Sequence, residues 1–417
     1  MAGDAVRITY LTQYFRTPAM SGGQRPYEFA RRLAAAGHRV SVVSGPPPDD
    51  GPPRRRPYVT DEAGVRVHWL PVPCDNRMAF RRRIRAFAAF AAAASARAVR
   101  LPADLVFATS TPLTIAVPGA AAARRWRAPL VLEVRDLWPD LPIDFGALRS
   151  PAGRWAGRAL EGWAYRRADR VIGVTPGIVD SIRRRFPATV VDLVPNGTDR
   201  DVFAGADAAG ARLRAREPWL GDRPLLLYAG TVGLANDVEY LIRIAAALAP
   251  ALPAARVAIV GTGNRLGRVR ALAAAAGLLD RTVFLRGAMS KAEAAAWFGA
   301  STVTVSTLAD LPSLQGSAPN KVFDSLAARR PVALTYGGWL TDLLVANGAG
   351  LRLPPGDPGA AAAALADLLR DPERLRVAGA AAGRVGERHF SRDDLFDRFH
   401  GLLLAAAGTR RIPTPVA

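Results

Sequence analysis

The sequence predicts an α/β fold of two doubly wound domains in tandem, and three observations predict it. Short β-branched runs alternate with helix-length amphipathic stretches along nearly the whole chain, the pattern of βαβ units around a parallel sheet. The alternation is interrupted once, by an Ala/Gly/Arg/Glu/Pro-rich segment from Phe203 to Pro224 without a strong period, and then restarts. A length of 417 residues also exceeds what one hydrophobic core normally serves.

Taken in order, "VRITYL" reads as the first strand and Gln24 to Ala36 as its helix. "RVSVVS", "DLVFATS", "PLVLEVRD" and "RVIGVT" follow as strands, with helices from Leu113 to Trp126 and from Gly177 to Arg185. After the interruption come "PLLLYAG" with a helix from Asp237, "ARVAIVGTG" with a helix from Arg265, and "TVFLRG" with a helix from Lys291. "STVTVST", "RPVALTY" and "GLRLPPGD" complete the second set, and a long helical pattern runs from Pro372 to Ala407. The organisation expected is a first domain over 1–202, a linker over 203–224, a second domain over 225–390, and a closing helix and tail over 391–417 that crosses back to the first domain. In two such domains facing each other, ligands bind outside the carboxyl ends of the strands. The chemistry is therefore expected in a cleft between them.

Composition bounds the function. The chain carries 56 Lys plus Arg against 36 Asp plus Glu, a net charge of +20, which fits an anionic substrate, an anionic membrane face or nucleic acid. Only Lys291 and Lys321 are lysine; the other 54 basic residues are arginine. A single cysteine, Cys74, excludes an internal disulfide, and no Cys/His cluster has zinc spacing, so neither a metal nor a cofactor is expected and a reducing cytoplasm is the natural setting. "MAGDAVRITYL" lacks the basic start and length of a signal peptide, and no apolar run reaches the ~20 residues that span a bilayer.

The most informative stretch is "SAPNKVFDSLAARRPV". Pro319 fits the first turn of a helix, and the unpaired amides from Ser317 through Pro319 and Asn320 to Lys321 form a donor nest backed by the helix dipole. Such a nest favours an anion, and an anionic partner reverses the penalty that the dipole imposes on Lys321. Asp324 lies about one turn deeper, within reach of hydroxyl groups on the same ligand. A diphosphate carrying a ribose diol satisfies both; the alternative is a solvated helix start.

With those residues in view, the chain resembles the retaining glycosyltransferases of family 4, which have the two-domain GT-B fold, and in particular their polysaccharide, O-antigen and capsule branch. The strings that carry the resemblance are "ATSTPLTI", "LEVRDLWPDLP", "TPGI", "VPNG", "YAGT", "VGTG", "PNKVFD" and "YGGWL", in that order from Phe107 to Leu340, preceded by "SGGQRPYEFARRLAAAGHRVSVVSG". The resemblance implies a nucleotide-diphosphate sugar on the second domain and an acceptor on the first. It implies that Asp324, where the family usually has glutamate, binds ribose with an arm one methylene shorter. It also brings the amides of Gly22, Gly23 and Gln24 to the donor, with Asn196 of "VPNG", Gly230, Thr231 and Asn236 after the first strand of the second domain, and Gly261, Gly263 and Gly287 at later strand ends. Family members often neutralise the diphosphate with an Arg and a Lys where this chain has Thr231 and Asn236. The replacement cation is expected to be Lys321, with Arg265 and Arg25 behind it. The first glutamate of the family's "EGFG" motif is replaced by Gly316.

Other motifs admit two readings each. "LEVRDLWP" sets Arg135 and Asp136 after a strand: Arg135 stabilises departing phosphate charge or holds an acceptor phosphate, with Asp136 orienting it, or the two form a structural ion pair. "VGTGNRLG" is spaced GxGxxxG without the following acid of a dinucleotide site, so a sugar-nucleotide loop is preferred. Asp199 and Asp201 form an Asp-x-Asp, read as turn and cap rather than as a metal site. The four histidines, 38, 68, 389 and 400, read mostly as surface or loop residues. Trp138, Trp155 and Trp163 stack on a sugar or belong to the core. In "RMAFRRRIRAFAAF", Phe80, Ile84, Phe87 and Ala91 share a helical face flanked by Arg81, Arg82, Arg83 and Arg85, which suits an anionic membrane interface or an ordinary amphipathic helix.

The function expected from the resemblance is transfer of a sugar from a nucleoside diphosphate to an acceptor hydroxyl with retention, without a metal, by positioning and charge stabilisation in a closing cleft. The acceptor is a lipid-linked saccharide of polysaccharide assembly, in a cytoplasmic enzyme peripheral to the membrane, or a small secondary-metabolite scaffold. A non-catalytic sugar-nucleotide or nucleic-acid binder and a nicotinamide oxidoreductase are the readings from other classes; no interleaved aromatic and basic stripe supports nucleic acid.

Overall fold

The computed structural model describes residues 5–20, 22–47, 54–74, 78 and 80–408. It divides into two compact units. Unit 1 comprises 1–17, 23–195 and 393–417; unit 2 comprises 18–22 and 196–392.

Unit 1 is built on eight strands: β1 (Arg7–Thr12), β2 (Arg39–Ser44), β3 (Tyr58–Glu62), β4 (Val65–Trp69), β5 (Leu105–Thr109), β6 (Leu130–Val134), β7 (Arg170–Gly173) and β8 (Val191–Leu193). Their order is β3-β4-β2-β1-β5-β6-β7-β8, parallel throughout except for the β3–β4 hairpin. The β5 and β6 runs are buried at every position, as strands covered on both faces must be. Strand order reverses between β1 and β5, so the loops after these two strands flank the crevice where ligands of doubly wound sheets bind.

Unit 2 holds six parallel strands: β9 (Leu225–Ala229), β10 (Arg256–Val260), β11 (Val283–Arg286), β12 (Val303–Ser306), β13 (Val332–Leu334) and β14 (Gly350–Arg352). Their order, β11-β10-β9-β12-β13-β14, places the reversal between β9 and β12. The sequence-predicted fold class is thus the observed one. One face packs Leu226, Tyr228, Leu241, Ile244, Val257 and Leu365 into a core; the other packs Leu227, Ala258, Trp297 and Phe298.

One boundary and one helix count differ from the sequence expectation. The segment expected as a linker contains the helices Arg200–Phe203 and Ala206–Arg216, and it belongs to unit 2. Phe203, Ala206 and Leu220 of this segment enter the core without a regular period, and close backbone approach adds to their hold: a Cβ on Gly299 would stand 1.8 Å from the Ala206 carbonyl oxygen, and one on Gly210 2.3 Å from the Gly299 carbonyl carbon. Arg214 adds hydrogen bonds to the carbonyls of Ala300, Gly221 and Arg223. The long closing pattern is in fact two helices, Pro372–Phe390 in unit 2 and Arg392–Gly408, which passes into unit 1 at Asp393. There Phe399 packs on Phe29 and Phe107, and Arg32 pairs with Asp393.

The histidines also correct the expectation. His38 and His68 are buried, and His38 Nε2 lies 2.6 Å from His400 Nε2. His38 Nδ1 accepts from the Val6 amide, and Arg97 donates to His68 Nδ1 at 3.2 Å. No described helix is long and apolar enough to cross a membrane.

Two predictions follow from this packing. Gly299→Ala forces backbone apart between two helices, and overpacking of this kind costs about 1–3 kcal/mol; chemical denaturation should show that loss, whereas an exposed linker would tolerate neighbouring substitutions. Burial, then His400, holds His38 below the ordinary imidazole range, and burial with Arg97 and Arg66 brings His68 down to about 4. The unfolded chain therefore binds more protons at acidic pH. Stability should be complete above about pH 6.5 and fall as pH is lowered toward 4. His68→Gln should flatten that decline in a thermal-unfolding series.

Candidate active site

The β9 and β10 ends of unit 2 are laced together by backbone. Gly230 donates to the Val260 carbonyl at 2.8 Å, Val232 to Thr262 at 2.9 Å, and Arg265 to Val232 at 3.1 Å. The approach leaves no room for side chains: a Cβ on Gly261 would lie 1.9 Å from the Gly230 oxygen, and one on Gly263 2.1 Å from the Val232 oxygen. The glycines of "YAGT" and "VGTG" thus serve the same close contact. Tyr228, at the end of β9, donates its hydroxyl hydrogen to the Thr231 carbonyl at 2.6 Å and fixes the loop. Asn236 accepts at its carbonyl from Thr307 Oγ1, which follows β12. Gly287, after β11, faces open space.

Lys321 enters this loop from the other side of the strand-order reversal. It is the second residue of the helix Asn320–Ala327, whose N-cap is Pro319. Pro319 therefore stands one residue before the first turn assigned to it from sequence. The Ser317 amide donates to the Leu314 carbonyl and Pro319 has no N–H, so the amides left are that of Ala318 just before the helix and those of Asn320 and Lys321 at its start. The expected nest is narrower than Ser317 to Lys321. Asn196 joins it, with Nδ2 donating to the Ala318 carbonyl at 3.4 Å and a buried Oδ1 that has no protein partner.

The Lys321 amine nitrogen lies 3.7 Å from the Tyr228 ring centroid, is buried, and makes no hydrogen bond among the described residues. A Cβ on Gly230 would meet its Cε at 3.3 Å and its Nζ at 3.7 Å, so the cation is aimed at the glycine loop. With no carboxylate to offset burial, its pKa falls to about 7. The ring face is a weak substitute for a counterion. Of the other cations considered for this role, Arg265 is partly exposed and 3.6 Å from Glu239.

Asp324 lies one turn on, with Oδ1 2.7 Å from Lys291 Nζ. Burial pushes its carboxyl up, and Lys291 works against that shift. Lys291 also reaches Asp199 at 3.0 Å, which pairs with Arg392. Asp199 occupies an N-cap position yet makes no side-chain cap bond. Its role is the ion pairs, which corrects the turn-and-cap reading.

In unit 1, Arg25 does not present its charge to a ligand, contrary to the expectation from sequence. It is buried, donates to Glu133 Oε1 from Nε at 3.0 Å and Nη2 at 2.7 Å, bonds the Val194 and Pro195 carbonyls, and lies over Phe29. Glu133, which also accepts from Thr109, was missed from sequence; the signal was an acid inside an apolar strand. Gly22 has φ +117 and is grouped with unit 2, while Gly23 and Gln24 lead into the Arg25–Ala35 helix of unit 1. Arg135 and Asp136 follow β6 without pairing to each other: the Arg135 amide donates to Ser110 Oγ, and Asp136 accepts from Thr111 Oγ1 at 2.6 Å. Both side chains are half-buried at the end of the sheet where strand order reverses nearby.

Residues 22–197 match the family described as glycosyl transferase 4-like domain, and 223–371 that described as glycosyl transferases group 1. A D-inositol 3-phosphate glycosyltransferase of Kineococcus radiotolerans is 30% identical over 87% of this chain and 86% of its own length. The chain belongs to the GT-B glycosyltransferases. Among solved structures, this glycosyltransferase resembles sucrose-phosphate synthase of Thermosynechococcus elongatus, with a TM-score of 0.75 at 20% identity over 97% of this chain and all of that one. It also resembles Anabaena HepE in complex with UDP-glucose, with a TM-score of 0.70 at 17% identity over 96% of this chain and all of that one. An alpha-D-kanosaminyltransferase of Streptomyces kanamyceticus is 31% identical over 57% of this chain and 60% of its own. The chain thus spans about three fifths of that relative's length.

For this glycosyltransferase the state of Lys321 gives a direct test. Near pH 8 the uncompensated amine is mostly neutral, and an anion against it restores the charge. Binding of inorganic pyrophosphate or a nucleoside diphosphate at pH 8 should take up close to one proton. Titration calorimetry in two buffers of different ionisation enthalpy measures it, and Lys321→Met should abolish the uptake.

Proposed function

We propose that this protein is a retaining, nucleotide-sugar-dependent glycosyltransferase of family 4, with the donor on unit 2 and the acceptor on unit 1. The observation that carries the reading is the buried ammonium of Lys321, without a carboxylate, aimed at the Gly230 loop beside a helix start. A diphosphate supplies the missing anion. The Asn320 and Lys321 amides and the Gly230–Thr231, Gly261–Gly263 and Gly287 loops surround the rest of the donor, with Asn196, Asn236 and Arg265 at the margin.

In the reaction proposed, the acceptor oxygen attacks the anomeric carbon on the face that the diphosphate leaves. The new glycosidic bond forms as the bond to phosphate breaks, the acceptor's proton passes to the departing phosphate oxygen, and the nucleoside diphosphate is released. Lys321 stabilises the negative charge growing on that oxygen, the kind of contact that contributes most in a water-poor site. Arg135 and Asp136, at the β6 end of unit 1, are assigned to the acceptor side, where a guanidinium that is not spent on an internal ion pair suits an anionic or polyhydroxyl group.

The acceptor proposed is a lipid-linked saccharide. In the helix Phe80–Ala98, the buried face begins at Phe87, while Ile84 is 40% exposed among the exposed Arg81, Arg82 and Arg85. Arg83 is half-buried and 6.0 Å from the Phe80 ring. An apolar side chain that leaves the core among arginines suits an anionic membrane interface. A small aminocyclitol acceptor is the second reading, favoured by the 2-deoxystreptamine glycosyltransferase relatives.

Lys321→Ala should weaken nucleoside diphosphate binding about ten- to a hundredfold, as befits a charge-assisted contact worth about 1.5–3 kcal/mol. Unchanged affinity by calorimetry overturns the donor assignment. For the acceptor, flotation with vesicles containing anionic lipid should carry the wild type upward, and a variant with Arg81, Arg82 and Arg85 changed to Gln should remain below. Equal recovery of both from the soluble fraction favours the small acceptor.

A further inference from the structure

Both lysines of this arginine-rich chain serve the same helix of unit 2, but in opposite electrostatic settings. Lys321 has no carboxylate; Lys291 has two, Asp324 at 2.7 Å and Asp199 at 3.0 Å. Lys291 is the first residue of the helix Lys291–Ala300, where the dipole disfavours a cation and where Ser290 and Glu293 already complete a capping box. Its place is therefore set by the carboxylates. Asp199 is held in turn by Arg392, which also donates to the Gly197 carbonyl at 2.8 Å. The four side chains match two basic groups with two acidic ones; burial raises the Asp324 carboxyl, and Lys291 works against that rise.

We propose that Lys291 is a positioning residue for the donor's ribose: it binds one oxygen of Asp324, fixes the short carboxylate arm in one rotamer, and leaves its remaining lone pairs to accept from the ribose hydroxyl pair. Asp199 and Arg392 hold Lys291 in place. This inference rests on the reading of Asp324 as the ribose contact. A carboxylate offers about four acceptor sites and Lys291 occupies one, so the diol finds an acceptor that is both charged and oriented. The two lysines then divide the donor: an uncompensated amine for the diphosphate, and a charge-matched cluster around a largely buried carboxyl, 15% exposed, for the uncharged sugar ring. An arginine at either position would bring a planar fork in place of a compact charge.

The test compares UDP, GDP and ADP with their 2′,3′-dideoxy counterparts and with inorganic pyrophosphate, by calorimetry on the full chain. The wild type should bind its preferred nucleotide at least tenfold more tightly than the dideoxy form. Lys291→Met should reduce that ratio to below about threefold while leaving the dideoxy and pyrophosphate affinities unchanged; a purely structural role would lower all three together. Should Lys291→Met fail to fold, Lys291→Arg carries the test, with at least a threefold drop in the ratio expected and full retention overturning the proposal. A wild type that binds none of the nucleotides sinks the donor reading itself. A wild type with a ribose preference that the Lys291 variants leave intact sinks this inference alone.

Discussion

The ammonium of Lys321, buried against the face of Tyr228 with no carboxylate in reach, is the constraint on which the functional geometry of unit 2 depends. A desolvated cation is costly, and a ring quadrupole offsets only part of that cost. The arrangement is tolerated because the same tyrosine ties down the Thr231 carbonyl and because the glycine loops after β9 and β10 lock together through their backbones. The amine answers burial by giving up its proton more readily than an exposed lysine does.

Unit 1 shows the contrasting solution. Arg25 is 2% exposed, and its charge is matched by Glu133 and by two backbone carbonyls after β8. Such a pair is expensive to break and holds the start of the first helix against β6. The two units therefore treat buried basic groups differently: Arg25 is matched by a carboxylate and carbonyls, while Lys321 has only a ring face against it among the described residues.

Much of the fold was legible in the sequence, because alternation of β-branched runs with amphipathic stretches reports a parallel sheet covered by helices. The segment over 203–224 was not legible. Its helix Ala206–Arg216 buries only Ala206 and Gly210, and the glycine-to-backbone contact and arginine bonds to carbonyls that supplement them leave no hydrophobic period. The pairing of His38 with His400 was equally hidden, since the two lie at opposite ends of the chain and meet only when the closing helix packs on unit 1.

By itself the sequence determined the two-sheet architecture, the glycine loops at strand ends, and the singular placement of a lysine at the Asn320 helix start, because each is written in local residue order. Only the tertiary structure decided which charges are spent and which remain. Arg25 and Glu133 are 108 residues apart, and Lys291 and Asp199 are 92 apart. Whether a charged side chain is neutralised or available is a property of its neighbours in space, and no local pattern in the chain records them.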